Sequence, residues 1–275
     1  GRDYHKVVKK KLLALARWLD EEAPGGAHRA YVDTGPIPER ELAQRGGLGW
    51  FGRNTMLINP RRGSYLFLGV VLTTVELEPD APFEADRCGS CTACLDACPT
   101  GALLGRNEDG APVLDARLCI SYLTIEHRGD IPEELRGRMG NRVYGCDICQ
   151  EVCPWNSPKL VELTGERDYR PEWRQAEDRP DVPGDLPGTE SPSLIELMRM
   201  TREDWDGWTR GSAMRRAGYA GFRRNVAVAM GNWLSGVDEP PEEAVALLRE
   251  ALEDEEPLVC EHAAWALEWT ARNRA

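Results

Sequence analysis

The run CGSCTACLDACPT at residues 88–100 decides the reading of the whole chain. Its spacing is Cys88-x2-Cys91-x2-Cys94-x3-Cys98-Pro99, the pattern of bacterial ferredoxins. Thiolates at that spacing can close around one iron–sulfur cubane. The fourth, set apart by the longer gap and the proline, serves a second cubane in two-cluster proteins. A second half follows as Cys146-x2-Cys149-x3-Cys153-Pro154. It lacks the leading cysteine of the usual run, and Cys119 is upstream to replace it. That makes the eight thiolates that two [4Fe–4S] clusters need. The expected pairing crosses over. Cluster one takes Cys88, Cys91, Cys94 and Cys153, and cluster two takes Cys98, Cys119, Cys146 and Cys149. Structural zinc is the competing reading of CxxC pairs, but zinc does not call for a three-deep run ending in Cys-Pro. Cys260 stands apart, among Val259, Ala263 and Ala264, as a buried core thiol.

The rest of the composition sets limits. The chain has 275 residues, 41% of them hydrophobic and 29% charged, enough to bury a core. With 34 basic against 46 acidic side chains its formal charge is −12, which argues against a general nucleic-acid coat but not against a local basic face. Nine cysteines, an odd number, speak against a disulfide framework. No apolar run approaches the ~18 residues of a membrane span. The opening GRDYHKVVKKK is not a signal peptide, and without an initiator Met the chain is expected to begin inside a larger protein.

Outward from the cysteines, four regions are expected: 1–79, 80–160, 161–192 and 193–275. Residues 1–22 read as a helix, with Val7, Val8, Leu12, Leu15, Ala16 and Leu19 on one face. Short strands are expected at 31–33, 56–58 and 64–75, which gives this region an α/β character built on a sheet. The proline-broken, acid-rich stretch 161–192 reads as a long irregular connector. The last third is helical, with segments at 193–200, 210–218, 221–234, 241–252 and 257–270 resembling paired HEAT-like repeats. The fold class is therefore α+β: a partial α/β-like region, a ferredoxin-like double-cluster domain, and C-terminal helical repeats.

Two close clusters imply one-electron traffic and a terminus that receives it. Asp33, after apolar Tyr31–Val32 and before a Gly-Pro turn, is a candidate general acid or a turn-capping residue. The glycine-dense loop 46–54 carries no phosphate-loop or dinucleotide pattern. It reads either as a ligand loop or as ordinary tight turns. Arg210, Arg215, Arg216, Arg223 and Arg224, interleaved with Tyr219 and Phe222, suit phosphates and bases or else a helix surface of ion pairs. His5, His28, His127 and His262 form no metal-ligand spacing.

Several strings occur in order: DYH at 3–5, DTGPIPER at 33–40, GLGWFGRNT at 47–55, the cysteine run, LCISYLTIE at 118–126, GNRVYGCDICQEVCPWN at 140–156 and RRNVAVAMGN at 223–232. Together they resemble the epoxyqueuosine reductase family across essentially the whole chain. The resemblance implies reduction of the epoxide of epoxyqueuosine to the alkene of queuosine, at the wobble position of tRNAs for Asp, Asn, His and Tyr. It implies cobalamin and two [4Fe–4S] clusters as cofactors, with residues 1–79 as part of the cobalamin-binding region. It implies Asp33 as proton donor. The loop residues Gly47, Leu48, Gly49, Trp50, Gly52, Arg53, Asn54 and Thr55 would pack on the corrin, with Ser121 reaching the same pocket. Arg215, Arg216, Arg223 and Arg224 would meet the anticodon stem-loop, with Lys9, Lys10 and Lys11 as weaker candidates. Gly35 and Arg53 depart conservatively from the family's usual Ala and Lys. The resemblance further implies a cytoplasmic, monomeric enzyme with an external electron donor, and a further segment ahead of Asp3 without which this stretch would be weakly active or inactive. A plain electron-transfer module and a corrinoid reductase of small molecules are the competing classes.

Overall fold

The computed structural model describes residues 2–161, 164–169 and 192–273. Of the connector expected at 161–192, only 161, 164–169 and 192 fall within the described residues, with a 3₁₀ turn at Arg167–Tyr169. The chain forms two compact units. One consists of Arg2–Asp115 with Asp147–Tyr169, and the other of Ala116–Cys146 with the described part of Arg170–Ala275. This division does not follow the four linear regions read from the sequence. The segment between Cys119 and Cys146 belongs with the C-terminal helices because its apolar residues Ile120, Leu123, Ile131, Leu135 and Met139 join their core.

In the first unit, helix α1 spans Tyr4–Glu22 and is capped by Asp3, whose carboxylate accepts from the His5 backbone N–H. It buries Val7 and Ala16. Leu15, counted in its apolar face from the sequence, is exposed. α1 packs on a ribbon of β1 (His28–Tyr31) and β4 (Val70–Thr73) in antiparallel register, with Tyr31 opposite Val70. Helix α2 (Glu39–Arg45) follows β1. Next comes the ribbon of β2 (Trp50–Phe51) and β3 (Leu57–Ile58). A Cβ at Gly49 would run into the carbonyl oxygen of Ile58, so only glycine lets these backbones approach. Helix α3 (Ala93–Ala97), the hairpin β5 (Leu103–Arg106) and β6 (Pro112–Leu114), and later α6 (Ile148–Glu151) complete the unit. Among the described residues the sheets are three separate two-stranded ribbons rather than one continuous sheet.

The second unit is helical. α4 (Ile120–Ile125) and α5 (Glu133–Arg136) precede α7 (Leu194–Arg199), α8 (Arg202–Trp208), α9 (Tyr219–Leu234), α10 (Glu242–Glu250) and α11 (Pro257–Arg272). Capping boxes start α7 (Ser193 with Glu196) and α8 (Thr201 with Asp204). The helix expected at 210–218 is instead a short 3₁₀ turn at Ala213–Ala217. α9 is the central helix, buried along most of its length against α7 and α11. Gly231 permits the close crossing with α11, since a Cβ there would sit 2.8 Å from the Ala266 Cα. The bundle resembles paired helical repeats, as the period of its sequence suggested. Among the described residues no helix is long and apolar enough to cross a membrane.

Candidate iron–sulfur and proton-transfer site

All nine cysteines are unbridged. In the first unit, Cys88, Cys91, Cys94 and Cys153 line one cavity of about 320 Å³. Local bonds set them there. The Asp86 carboxylate accepts from the Cys88 N–H at 2.9 Å, and the Cys91 N–H closes a turn onto the Cys88 carbonyl at 3.0 Å. Cys94 rides on α3, and Cys153 follows α6, which packs against α3. Burial, then the nearby Cys88 and Cys153 sulfurs, pushes the Cys94 thiol up. Burial likewise raises Cys153, with Cys88 and Cys91 adding to it. Four cysteine sulfurs lining one cavity are the donor set a cationic iron centre satisfies, because coordination removes the thiol proton outright. The cavity fits one cluster.

The other four cysteines are divided between the units. Cys98 ends α3 in the first unit. Burial pulls its thiol up but is outweighed by hydrogen bonds from the Ala102 backbone, the Thr100 side chain and the Leu103 backbone, so it lies below the usual thiol range. Cys149 sits on α6, and its carbonyl accepts from the Asn54 amide at 3.1 Å. In the second unit Cys119 is the N-cap position of α4. The Ser121 hydroxyl accepts from the Cys146 N–H at 3.1 Å, and the Thr124 hydroxyl accepts from the Gly145 N–H at 2.9 Å. Ser121, expected to reach a corrin pocket, ties the Cys119 and Cys146 segments together.

Part of the glycine-dense loop lies against the cysteines. Trp50 is 3% exposed, and its indole Nε1 lies 3.5 Å from the Cys88 sulfur. The Arg53 guanidinium donates to the Gly89 carbonyl at 2.7 Å, and Asn54 is buried on Cys149. Trp50, Arg53 and Asn54, expected on the corrin, face the iron–sulfur ligands. Leu48 alone of the loop's large apolar side chains is exposed, at 51%.

Asp33 follows buried Val32 and takes a left-handed conformation, φ +54°. Thr55, φ +64°, is the only other non-glycine residue with positive φ among the described residues. Such strain in non-glycine residues concentrates where side-chain placement matters. The Asp33 carboxylate is 66% exposed, and its Oδ2 lies 3.3 Å from His5 Nε2. The other ring nitrogen, Nδ1, is 2.7 Å from Asp3 Oδ1. Sequence reasoning quoted Asp3 and His5 but missed their link to Asp33. The available signal was that Asp3, as N-cap, necessarily holds His5 in the first turn of α1.

Of the four arginines expected to meet RNA, Arg224 is corrected by the structure. It is 0% exposed, and all five of its N–H donors are used: on the carbonyls of Leu123, His127 and Gly129, and twice on the Asn225 side chain. Burial, then repulsion from Arg128, pushes its pKa down to about 10. Asn225 donates to the Thr124 and Val143 carbonyls, and Asn232 to those of Arg136 and Gly140. The RRNVAVAMGN string thus clasps the chain between Cys119 and Cys146. Arg223 is half-buried on Asp254 at 3.0 Å. Arg215 pairs with Asp206 at 2.6 Å and Arg216 with Glu126 at 2.8 Å, both at the surface. Lys11 is paired with Glu166, while Lys9 and Lys10 are exposed. Asp130, Glu261 and His262 approach each other as a metal triad would. Both His262 ring nitrogens are already engaged, however, Nε2 by the Ile131 N–H and Nδ1 by the Leu258 carbonyl.

Residues 87–156 match the 4Fe-4S double cluster binding domain, which makes this an iron–sulfur protein of the two-cluster class. Residues 1–34 match the family described as epoxyqueuosine reductase QueG, DUF1730. The epoxyqueuosine reductase of Francisella cf. novicida (strain Fx1) is 42% identical over 269 residues, covering 97% of this chain and 68% of the relative. That of Pseudomonas aeruginosa is 43% identical over 267 residues, covering 97% and 67%. The chain belongs to the epoxyqueuosine reductase family. Among solved structures, the Bacillus subtilis enzyme with its catalytic aspartate loop swung out of the active site superposes with a TM-score of 0.79 at 32% identity. An epoxyqueuosine reductase bound to a tRNA-Tyr epoxyqueuosine-modified stem loop gives 0.76 at 32%. Each match covers 98% of this chain and 64% of the solved one. The chain spans about two thirds of the length of these relatives.

Proposed function

We propose that the protein to which this chain belongs reduces the epoxide of epoxyqueuosine in tRNA to the alkene of queuosine. The observation that carries this reading is a single folding unit holding both a four-thiol cavity and a strained, exposed aspartate engaged by a histidine. The reaction takes two electrons and two protons and releases the epoxide oxygen as water. The clusters supply electrons one at a time when bound. Cys88, Cys91, Cys94 and Cys153 would hold the first, and Cys98, Cys119, Cys146 and Cys149 the second. Asp33 holds the proton that the departing oxygen takes up, and its exposure leaves the carboxyl free to meet a substrate. His5, bonded on its other side to Asp3, fixes the direction of the Asp33 carboxyl.

Cobalamin is the electron terminus that family membership implies. Of the residues of this chain expected to cradle it, Trp50, Arg53 and Asn54 also touch the cysteine segments and Ser121 touches Cys146, while Leu48 stays exposed. No step is routed through it. The RNA partner is the anticodon stem-loop of tRNAs for Asp, Asn, His and Tyr. The surface arginines Arg215 and Arg216 are its contacts in this chain, while Arg224 acts from within the bundle. A phosphate can displace a surface carboxylate from an arginine at little cost, since exposed pairs are weak.

The decisive variant is Asp33→Asn in the full-length protein. Turnover should be abolished with iron content and corrin absorption unchanged, and near-normal turnover removes Asp33 from the acid role. A full-length protein with two clusters and no corrin band would be an electron-transfer module instead. Zinc in place of iron would overturn the reading altogether.

A further inference from the structure

The cluster-one cavity is faced by two hydrogen-bond donors that are not ligands. The first is the Trp50 indole N–H, 3.5 Å from the Cys88 sulfur. Its ring is fixed in place: β2 pairs Trp50 with Ile58, Phe83 stacks on it at 5.6 Å, and Trp155 meets it edge-on at 4.9 Å. The second is Arg53, which lines the same cavity. One arm of its guanidinium is anchored on the Gly89 carbonyl, in the turn between Cys88 and Cys91. Its Nε is buried and has no partner within the protein. A buried donor left unpaired is costly unless something meets it. The neighbouring Trp155 indole differs, since its N–H is already given to the Arg87 carbonyl at 3.4 Å.

We propose that Trp50 and Arg53 donate to the sulfurs of cluster one and so raise its reduction potential above what four cysteines alone would set. The inference rests on the two-cluster reading above. One-electron reduction adds negative charge to the cluster. A donor dipole or a fixed cation facing the sulfurs stabilises the reduced form more than the oxidised form, which moves the couple upward. Arg53 brings both a donor and a permanent positive charge. The loop 47–55 is on this account the potential-setting wall of the first cluster.

The test is an EPR-monitored redox titration of the iron-loaded full-length protein, with dithionite as reductant. Trp50→Phe keeps the ring and removes the donor, and Arg53→Met removes donor and charge. Each should lower the midpoint of one cluster, Arg53→Met by more, and leave the other cluster in place. Trp155→Phe, whose N–H is given to Arg87 and whose ring stays aromatic against Trp50, should shift that midpoint by clearly less than Trp50→Phe does. Unchanged midpoints in Trp50→Phe and Arg53→Met with full iron content overturn the proposal, as does an equal shift in Trp155→Phe, which would assign the effect to packing. The unsubstituted protein gives a second measurement that does not depend on variants holding iron. Pulsed EPR of the reduced cluster before and after exchange into deuterated water should reveal a coupled exchangeable proton, and its absence also overturns the proposal. Wild-type protein without iron would refute the two-cluster reading itself, a result separate from either outcome above.

Discussion

The two units of this chain are held together by different means. The helical unit has a continuous apolar core, in which Phe222, Val226, Met230, Leu234, Leu248, Val259 and Ala266 are all but inaccessible to water. The cysteine unit has no comparable core. Its buried apolar residues among those described are scattered, with Val7 on α1, Ala30 in β1 and Val32 just beyond it, and Trp50, Leu57 and Ile58 on the β2–β3 ribbon. A two-stranded ribbon is marginal by itself. What joins its parts is polar. The Asn156 amide accepts from the Ser64 N–H at 2.7 Å and donates to the Gln150 carbonyl at 2.8 Å, and Asn54 reaches Cys149. One of them, Asn54, also lines the four-thiol cavity. In one unit the centre is hydrocarbon, and in the other it is a cavity lined by four cysteines, where a metal cluster would take the place of a core.

The largest test of that contrast is iron removal. Anaerobic chelation should strip amide-exchange protection from residues 50–58, 88–98 and 148–156 by orders of magnitude while α9 and α11 keep theirs. Equal loss in both units would end the comparison. Next in size is Arg224→Met, which leaves the Leu123, His127 and Gly129 carbonyls without their buried partner. It should cost the helical unit about 3–5 kcal/mol in denaturant titration followed by circular dichroism, and should loosen the Cys119–Cys146 segment.

A pH series sharpens the contrast further. Burial, then repulsion from Arg136, pushes the His262 imidazole down to about 4. The unfolded chain, with an ordinary histidine, takes up that proton first as pH falls. The stability involved is complete above pH ~6.5 and is lost on the way down to pH ~4, an amount of about 3 kcal/mol. Melting of the helical unit followed across that window checks it, and His262→Gln should flatten the slope. The smallest effect belongs to Arg216→Ala. Its exposed pair with Glu126 should be worth less than ~1 kcal/mol to stability. Stem-loop binding in a filter assay should nonetheless weaken, with a shallower salt dependence.

The sequence made some of this legible and hid the rest for physical reasons. α1, α9, α10 and α11 were readable because an apolar face repeats every turn. Cys88, Cys91, Cys94 and Cys98 were readable because ligand spacing is local. The strands were misplaced by a few residues, since ribbons as short as β2 and β3 leave no period to find. Arg224 looked like a surface cation because composition cannot tell a guanidinium facing phosphate from one facing carbonyls. Trp50 and Arg53 were read with their glycines as one ligand loop. Which way their side chains turn depends on Cys88 and Gly89, more than thirty positions away. The same distance problem concealed the meeting of His5 with Asp33.

The clasp formed by Arg224, Asn225 and Asn232 grips main-chain oxygens, which every amino acid carries. Outside its buried apolar residues, the stretch between Cys119 and Cys146 can therefore vary in side-chain identity with little penalty to this anchorage, whereas the three gripping residues cannot. Mutational tolerance should be lopsided here, generous at the outward positions of the segment being held and strict on the helix that holds it.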